Sequence, residues 1–193
     1  ELQEVWRRGG ERSARLGPEH GQLWGALDEA ARGGKGLRPD LVIAVHAALG
    51  GTRYESVASA AAAVEMLHTA FVVHDDVIDG DDTRRGRPNV SGAFEVQARR
   101  TGASAAAAQR QGSAAGILAG DLALVSALRL MARSGASAAQ TEQLLELQHR
   151  AAGLAARDGR SPRVSTSMSP DTVSTSTDPG SMPTISLCAC WLI

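Results

Sequence analysis

The sequence predicts an all-α fold on three observations. Aromatic residues are only 3% of the chain while alanine dominates, which favours tight helix packing over sheets. Residues 55–79 run through Ala, Val, Leu and Met with no Pro or Gly until Gly80, a residue placed to close a helix in the left-handed conformation. Gly50-Gly51 and Ser134-Gly135 then divide the remaining chain into segments of helical length.

In chain order, helices are expected at 2–15, 22–31, 39–49, 55–79, 103–110, 114–133 and 137–157. Pro39 suits the first turn of the third. The alanine run at 105–108 reads as a packing surface. His20, His46, His74 and His149 are read as structural or solvated groups, His74 lying about 100° around the helix from Asp75. Asp121 follows Gly120 inside an apolar helix and is expected to make a buried polar contact.

The chemistry is concentrated between Val73 and Pro88, which read Val-His-Asp-Asp-Val-Ile-Asp-Gly-Asp-Asp-Thr-Arg-Arg-Gly-Arg-Pro. Five carboxylates crowded at the end of an apolar helix repel one another unless a divalent cation offsets them. The three arginines that follow have the fork geometry suited to phosphate oxygens. Mg²⁺ is typically held by one or two carboxylates plus substrate phosphates, so a metal-bound diphosphate is the ligand expected. At 100° per residue, His68, Asp75 and Asp79 fall within about 40° of one another, and Phe71 lies one turn below Asp75. That arrangement suits a ligand with a charged head and a hydrocarbon tail. A helix-loop-helix calcium loop is excluded, because no start position supplies alternate acidic residues with Gly sixth and Glu twelfth.

A second signal is Gly33-Gly34-Lys35-Gly36-Leu37-Arg38-Pro39. It sets a Lys and an Arg beside a helix N-terminus, where anions bind readily. A nucleotide P-loop is excluded: Gly36 stands where Ser or Thr is required, and Glu29 stands where the leading Gly belongs.

Together these segments resemble the trans-isoprenyl diphosphate synthases, the polyprenyl synthetase family that includes geranylgeranyl diphosphate synthases. The family's upstream motif is usually Gly-Gly-Lys-Arg-Leu-Arg-Pro, and only Gly36 departs from it. The first aspartate-rich motif is complete as Asp75-Asp76-Val77-Ile78-Asp79. Similarity extends through Leu67-His68-Thr69 and Ile117-Leu118-Ala119-Gly120-Asp121, covering about residues 1–157.

The resemblance implies an isoprenoid synthase-type helical bundle, here truncated. It implies that Lys35, Arg38, His68 and Arg85 hold isopentenyl diphosphate. It implies that Asp75 and Asp79 bind Mg²⁺, that Asp76 belongs to the same catalytic motif, and that Arg84 contacts an allylic prenyl diphosphate. The reaction implied is ionisation of the allylic diphosphate and attack by the isopentenyl double bond, giving a longer trans-prenyl diphosphate. Chain length in the family is set just upstream of the aspartates. Ala70 and Phe71 there, with Thr69 before them, suggest a C20 product. A complete protein of this kind is expected to be a homodimer.

Composition bounds the reading. With 193 residues, 43% of them hydrophobic, and a net charge of −1, the chain can form one moderate domain and has no basic excess for nucleic acid. No stretch of about 18 uninterrupted apolar residues is present, so no membrane span is expected. The start is charged where a signal peptide needs an apolar core, so a cytoplasmic location is expected. The missing initiator Met suggests a fragment at that end.

Residues 1–157 are read as the N-terminal portion of the synthase domain. From 158 to 186 the chain holds eight Ser, five Thr and four of its seven Pro. Residues 158–193 are therefore expected to be a disordered, low-complexity tail, of the kind an early stop or shifted frame produces. Cys188 and Cys190 make neither a disulfide framework nor a zinc set. No second aspartate-rich motif follows Asp121, so turnover by this chain alone is expected to be impaired. Two alternatives stand beside the prenyltransferase: a non-catalytic substrate-binding or regulatory subunit, and a terpene cyclase. The Gly33 to Pro39 and Arg84-Arg85 elements argue against the cyclase, which has no second diphosphate to hold.

Overall fold

The computed structural model describes residues 2–32, 34 and 36–158. The elements are α1 (Leu2–Leu16), α2 (Pro18–Ala31), α3 (Leu37–Ala48), α4 (Tyr54–Asp79), β1 (Thr83–Arg84), β2 (Arg87–Pro88), α5 (Val90–Arg100), α6 (Ala105–Ala132) and α7 (Ala138–Asp158). The all-α expectation holds. Among the described residues the helices are accompanied by one two-stranded antiparallel hairpin, pairing Thr83 with Pro88 and Arg84 with Arg87. The tail expected after residue 157 lies outside the described residues except for Asp158, which ends α7.

The bundle is built around α4 and α6, which pack most extensively on each other, with α5 against α6 and α3 against α4. The core is small-residue rich. Trp24, Leu27, Met66, Leu67, Ala70, Val73, Val90, Ala119, Ala123 and Ala127 form its buried cluster. Trp24 is its large anchor: its ring lies 5.4 Å from that of Trp6, and its Nε1 donates to the Trp6 carbonyl at 3.1 Å. Gly9 packs where a Cβ would collide with that indole.

Three element expectations are corrected. The two helices expected at 103–110 and 114–133 are one, because Gly112 does not break α6 but serves its packing. A Cβ there would sit 2.5 Å from the Ser91 carbonyl. With Gly116 facing Val77 and Ser91, and Gly120 facing the His74 ring, the i, i+4, i+8 glycines let α4 and α5 approach α6 closely. Second, α5 was not foreseen, although Asn89 marks its start: the Asn89 side chain accepts from the Gly92 N–H at 2.9 Å, as an N-cap does. Third, Asp121 is exposed rather than buried.

Helices α4 and α6 are long and apolar enough to cross a membrane by length and composition, which a count of uninterrupted apolar residues overlooks. Here they are the central pair of the bundle, packed on each other.

Candidate functional site

The site forms where α4 ends. Gly80, at φ 72°, caps the helix, and the Asp81 N–H returns to the Asp76 carbonyl at 2.9 Å. Asp75 and Asp79, one turn apart, are both exposed, whereas Asp76 is buried. Desolvation, then the negative charges of Asp79 and Asp76, push the Asp75 carboxyl above its usual range. Repulsion within the motif is therefore incompletely offset by protein groups. Two hard oxygen donors on one face suit Mg²⁺, which takes its other ligands from water and phosphate. Among the described residues no group of three or more His, Cys, Asp or Glu could hold a metal ion by itself. This donor set fits a cation that takes its remaining ligands from outside the protein.

Asp76 stands apart from its two neighbours. Its Oδ1 accepts from Arg84 Nη1 at 2.8 Å, so this guanidinium braces the buried aspartate. Burial raises the Asp76 carboxyl, and Arg84 pulls it back. The pair ties the hairpin to the last turn of α4.

The hairpin turn has both central residues at positive φ, Arg85 at 53° and Gly86 at 75°, a geometry that matches strand twist and asks for glycine at such positions. This turn directs its arginines toward α2. Arg85 Nη1 donates to the Arg32 carbonyl at 3.2 Å, and Arg87 Nη1 to Glu29 Oε1 at 3.1 Å. Cations at the C-terminal end of α2 are favoured by its exposed carbonyls. Beneath the hairpin lies a cavity of about 300 Å³, bounded by α2, α4 and the strands, with Glu29, Asp76, Arg84 and Arg85 on its wall.

Arg38 enters from the first turn of α3, which begins two residues earlier than expected behind Gly36 at φ 65°. Glycine is suited to that left-handed position. Lys35 lies outside the described residues. His68 is half-buried. Desolvation, followed by the charges of Arg38, Arg84 and Arg85, lowers its pKa to about 4, so at neutral pH it is an uncharged hydrogen-bonding group. The structure therefore brings His68 and the three arginines into one electrostatic neighbourhood beside the aspartates.

Glu65 is a member of this neighbourhood that the sequence reading passed over. It is 8% exposed, raised by desolvation and pulled down by Arg38 and Arg85. Its place one turn before His68, in a run otherwise apolar, was the available signal. Of the two residues expected to set chain length, Ala70 is wholly buried in the core cluster and Phe71 is partly buried at its edge. Ala70 sits about 140° around the helix from Asp75, so Phe71 alone shares the aspartate stripe. His74 is structural, as expected: its Nε2 lies 3.3 Å from the Ile117 carbonyl and 3.4 Å from Asp121 Oδ1.

Comparison with known proteins adds the following. The Polyprenyl synthetase family profile matches residues 22–158. A geranylgeranyl diphosphate synthase of Mycobacterium tuberculosis is 45% identical over 75 residues, which are 38% of this chain and 21% of that protein. A Rhodobacter capsulatus all-trans-nonaprenyl-diphosphate synthase is 43% identical over 65 residues, 34% of this chain and 20% of that one. A geranylgeranyl pyrophosphate synthase from Corynebacterium glutamicum, solved with isoprenyl diphosphate and magnesium, superposes with a TM-score of 0.61 at 32% identity. That match covers 71% of this chain and 40% of the other. The chain thus aligns with well under half the length of these relatives.

Proposed function

Because the chain belongs to the polyprenyl synthetase family, we propose that it carries the first-motif half of a prenyltransferase site that joins an allylic diphosphate to isopentenyl diphosphate. The observation that carries this reading is the division within the motif: Asp75 and Asp79 exposed together, and Asp76 turned inward onto Arg84. Asp75 and Asp79 would hold Mg²⁺, which when bound supplies Lewis-acid neutralisation of a departing diphosphate. Asp76 and Arg84 keep the two outer carboxylates aimed the same way. Arg38 and Arg85, with Lys35 before them in sequence, supply cations for the isopentenyl diphosphate, and neutral His68 supplies a hydrogen bond. Phe71 would limit how deep the hydrocarbon tail reaches, consistent with a C20 product. In its complete form the protein would act as a homodimer.

Calorimetry with farnesyl diphosphate, with and without Mg²⁺, tests the reading. Binding should be tighter with Mg²⁺, and Asp75→Ala should weaken the metal-dependent component roughly ten- to hundredfold, as expected for a lost charged contact. Metal-dependent binding unchanged in Asp75→Ala would overturn the assignment.

A further inference from the structure

A second cationic site lies elsewhere in the fold. A cavity of about 430 Å³ opens between α1, α2 and α6, with Ser59 of α4 at its back. Ser59 precedes Asp75 by 16 residues on one helix, so the cavity and the aspartates are about 24 Å apart along α4. Helix α1 contributes Arg8 and Arg12 to the cavity, and the end of α6 contributes Arg129 and the C-cap residue Arg133. Each pair is spaced i, i+4, so two helices bring like charges together on the same opening, an arrangement that destabilises both.

The acids nearby do not neutralise it. Arg8 is held by Glu4 at 2.5 Å, and Glu11 is engaged by Arg7. Among the described residues, no carboxylate lies within 4.0 Å of Arg12, Arg129 or Arg133. Burial first, then the charges of Arg129, Arg133 and Arg8, make the Arg12 guanidinium easier to deprotonate than usual, against a smaller opposing pull from Glu11. The arginines are exposed at the rim, while Trp24 is buried and Leu122 and Leu130 are half-buried on the wall. His20 adds a buried Nδ1 that has no hydrogen-bond partner.

A guanidinium rim over an apolar wall matches an anionic head joined to a hydrocarbon. We propose that this cavity binds a soluble ligand with a phosphate or diphosphate head and a short apolar tail, at a site separate from the aspartate motif. Three guanidiniums with no carboxylate within 4.0 Å among the described residues can each give a charge-assisted, forked contact to phosphate oxygens. The wall offers the tail Trp24, whose indole reports on its occupancy.

The test is fluorescence titration of the full chain with octyl phosphate in EDTA, in a Trp191→Phe background so that Trp6 and Trp24 provide the signal. A saturable change is expected, unaltered by Asp75→Ala and weakened at least tenfold by Arg129→Gln with Arg133→Gln. Octyl glucoside, with the same tail and a neutral head, should give no such response. Should the double variant fold poorly, Arg12→Gln on α1 carries the same expectation. Affinity untouched by these changes, or an equal response to octyl glucoside, would overturn the proposal. Phosphatidylcholine vesicles containing phosphatidic acid separate the lipid source: sedimentation with vesicles without any octyl phosphate response would overturn the soluble-ligand assignment.

Discussion

His68 shows how position overrides residue type. An imidazole ordinarily titrates near neutrality, but burial and the cationic neighbours Arg38, Arg84 and Arg85 lower this one to about 4. Its folded pKa lies below its unfolded value, so between pH 6.5 and 4 the unfolded chain takes up a proton that the folded chain refuses. Stability contributed by neutral His68 is therefore full above pH 6.5, lost as pH falls to about 4, and constant below. The raised carboxyls of Glu65, Asp75 and Asp76 act in the opposite sense in acid, so the effect must be read as a difference. Relative to His68→Gln, the parent chain should lose on the order of 1 to 3 kcal/mol across that window, the upper figure discounted for partial exposure. Urea melts at pH 7 and pH 4 check this; an equal loss in both proteins would mean that the imidazole is not desolvated.

At the scale of elements, the approach of α6 to α4 and α5 rests on three glycines and a stripe of buried alanines, Ala108, Ala115, Ala119, Ala123 and Ala127. Small residues lower the apolar area buried per residue but let backbones come close, and that closeness holds the aspartate-bearing turn of α4 against α6. A methyl at Gly112 would meet the Ser91 backbone carbonyl, which cannot rotate away. Gly112→Ala should therefore destabilise by about 1–3 kcal/mol, the usual cost of overpacking. Gly25, inside α2, has open space where its Cβ would stand, so Gly25→Ala should stabilise by about 0.5–1 kcal/mol through helix propensity alone. Denaturant midpoints of the two variants should move in opposite directions.

At the scale of the whole molecule, several large apolar side chains of the described residues lie at the surface. Leu49 is 82% exposed, Leu41 64% and Val125 62%, with Leu118, Leu128 and Ile117 also outside. Exposed apolar residues clustered on helix faces favour association or dye binding. The chain should enhance the fluorescence of a hydrophobic dye such as ANS in native buffer, and Leu41→Glu with Val125→Glu should reduce that signal without changing helical content by circular dichroism. A dye response no greater than that of an ordinary folded domain would refute the expectation.

Local patterns were enough for much of the site. The Asp75, Asp76 and Asp79 spacing, the helix that carries them and its Gly80 stop were all legible in the sequence, because helical periodicity and capping depend on neighbours within one or two turns. The family was legible for the same reason: its motifs are short and contiguous. What only the tertiary structure decided were relations across elements. Asp76 parts company with its neighbours because the hairpin delivers Arg84 to it. Glu65 joins the cationic neighbourhood because α3 and the hairpin converge on α4. Gly112 continues a helix because Ser91 of another helix occupies the space its side chain would need. The four arginines of α1 and α6, more than a hundred residues apart in sequence, meet at one opening only in the folded chain. Burial and proximity between distant segments are properties of packing, which no local spacing encodes.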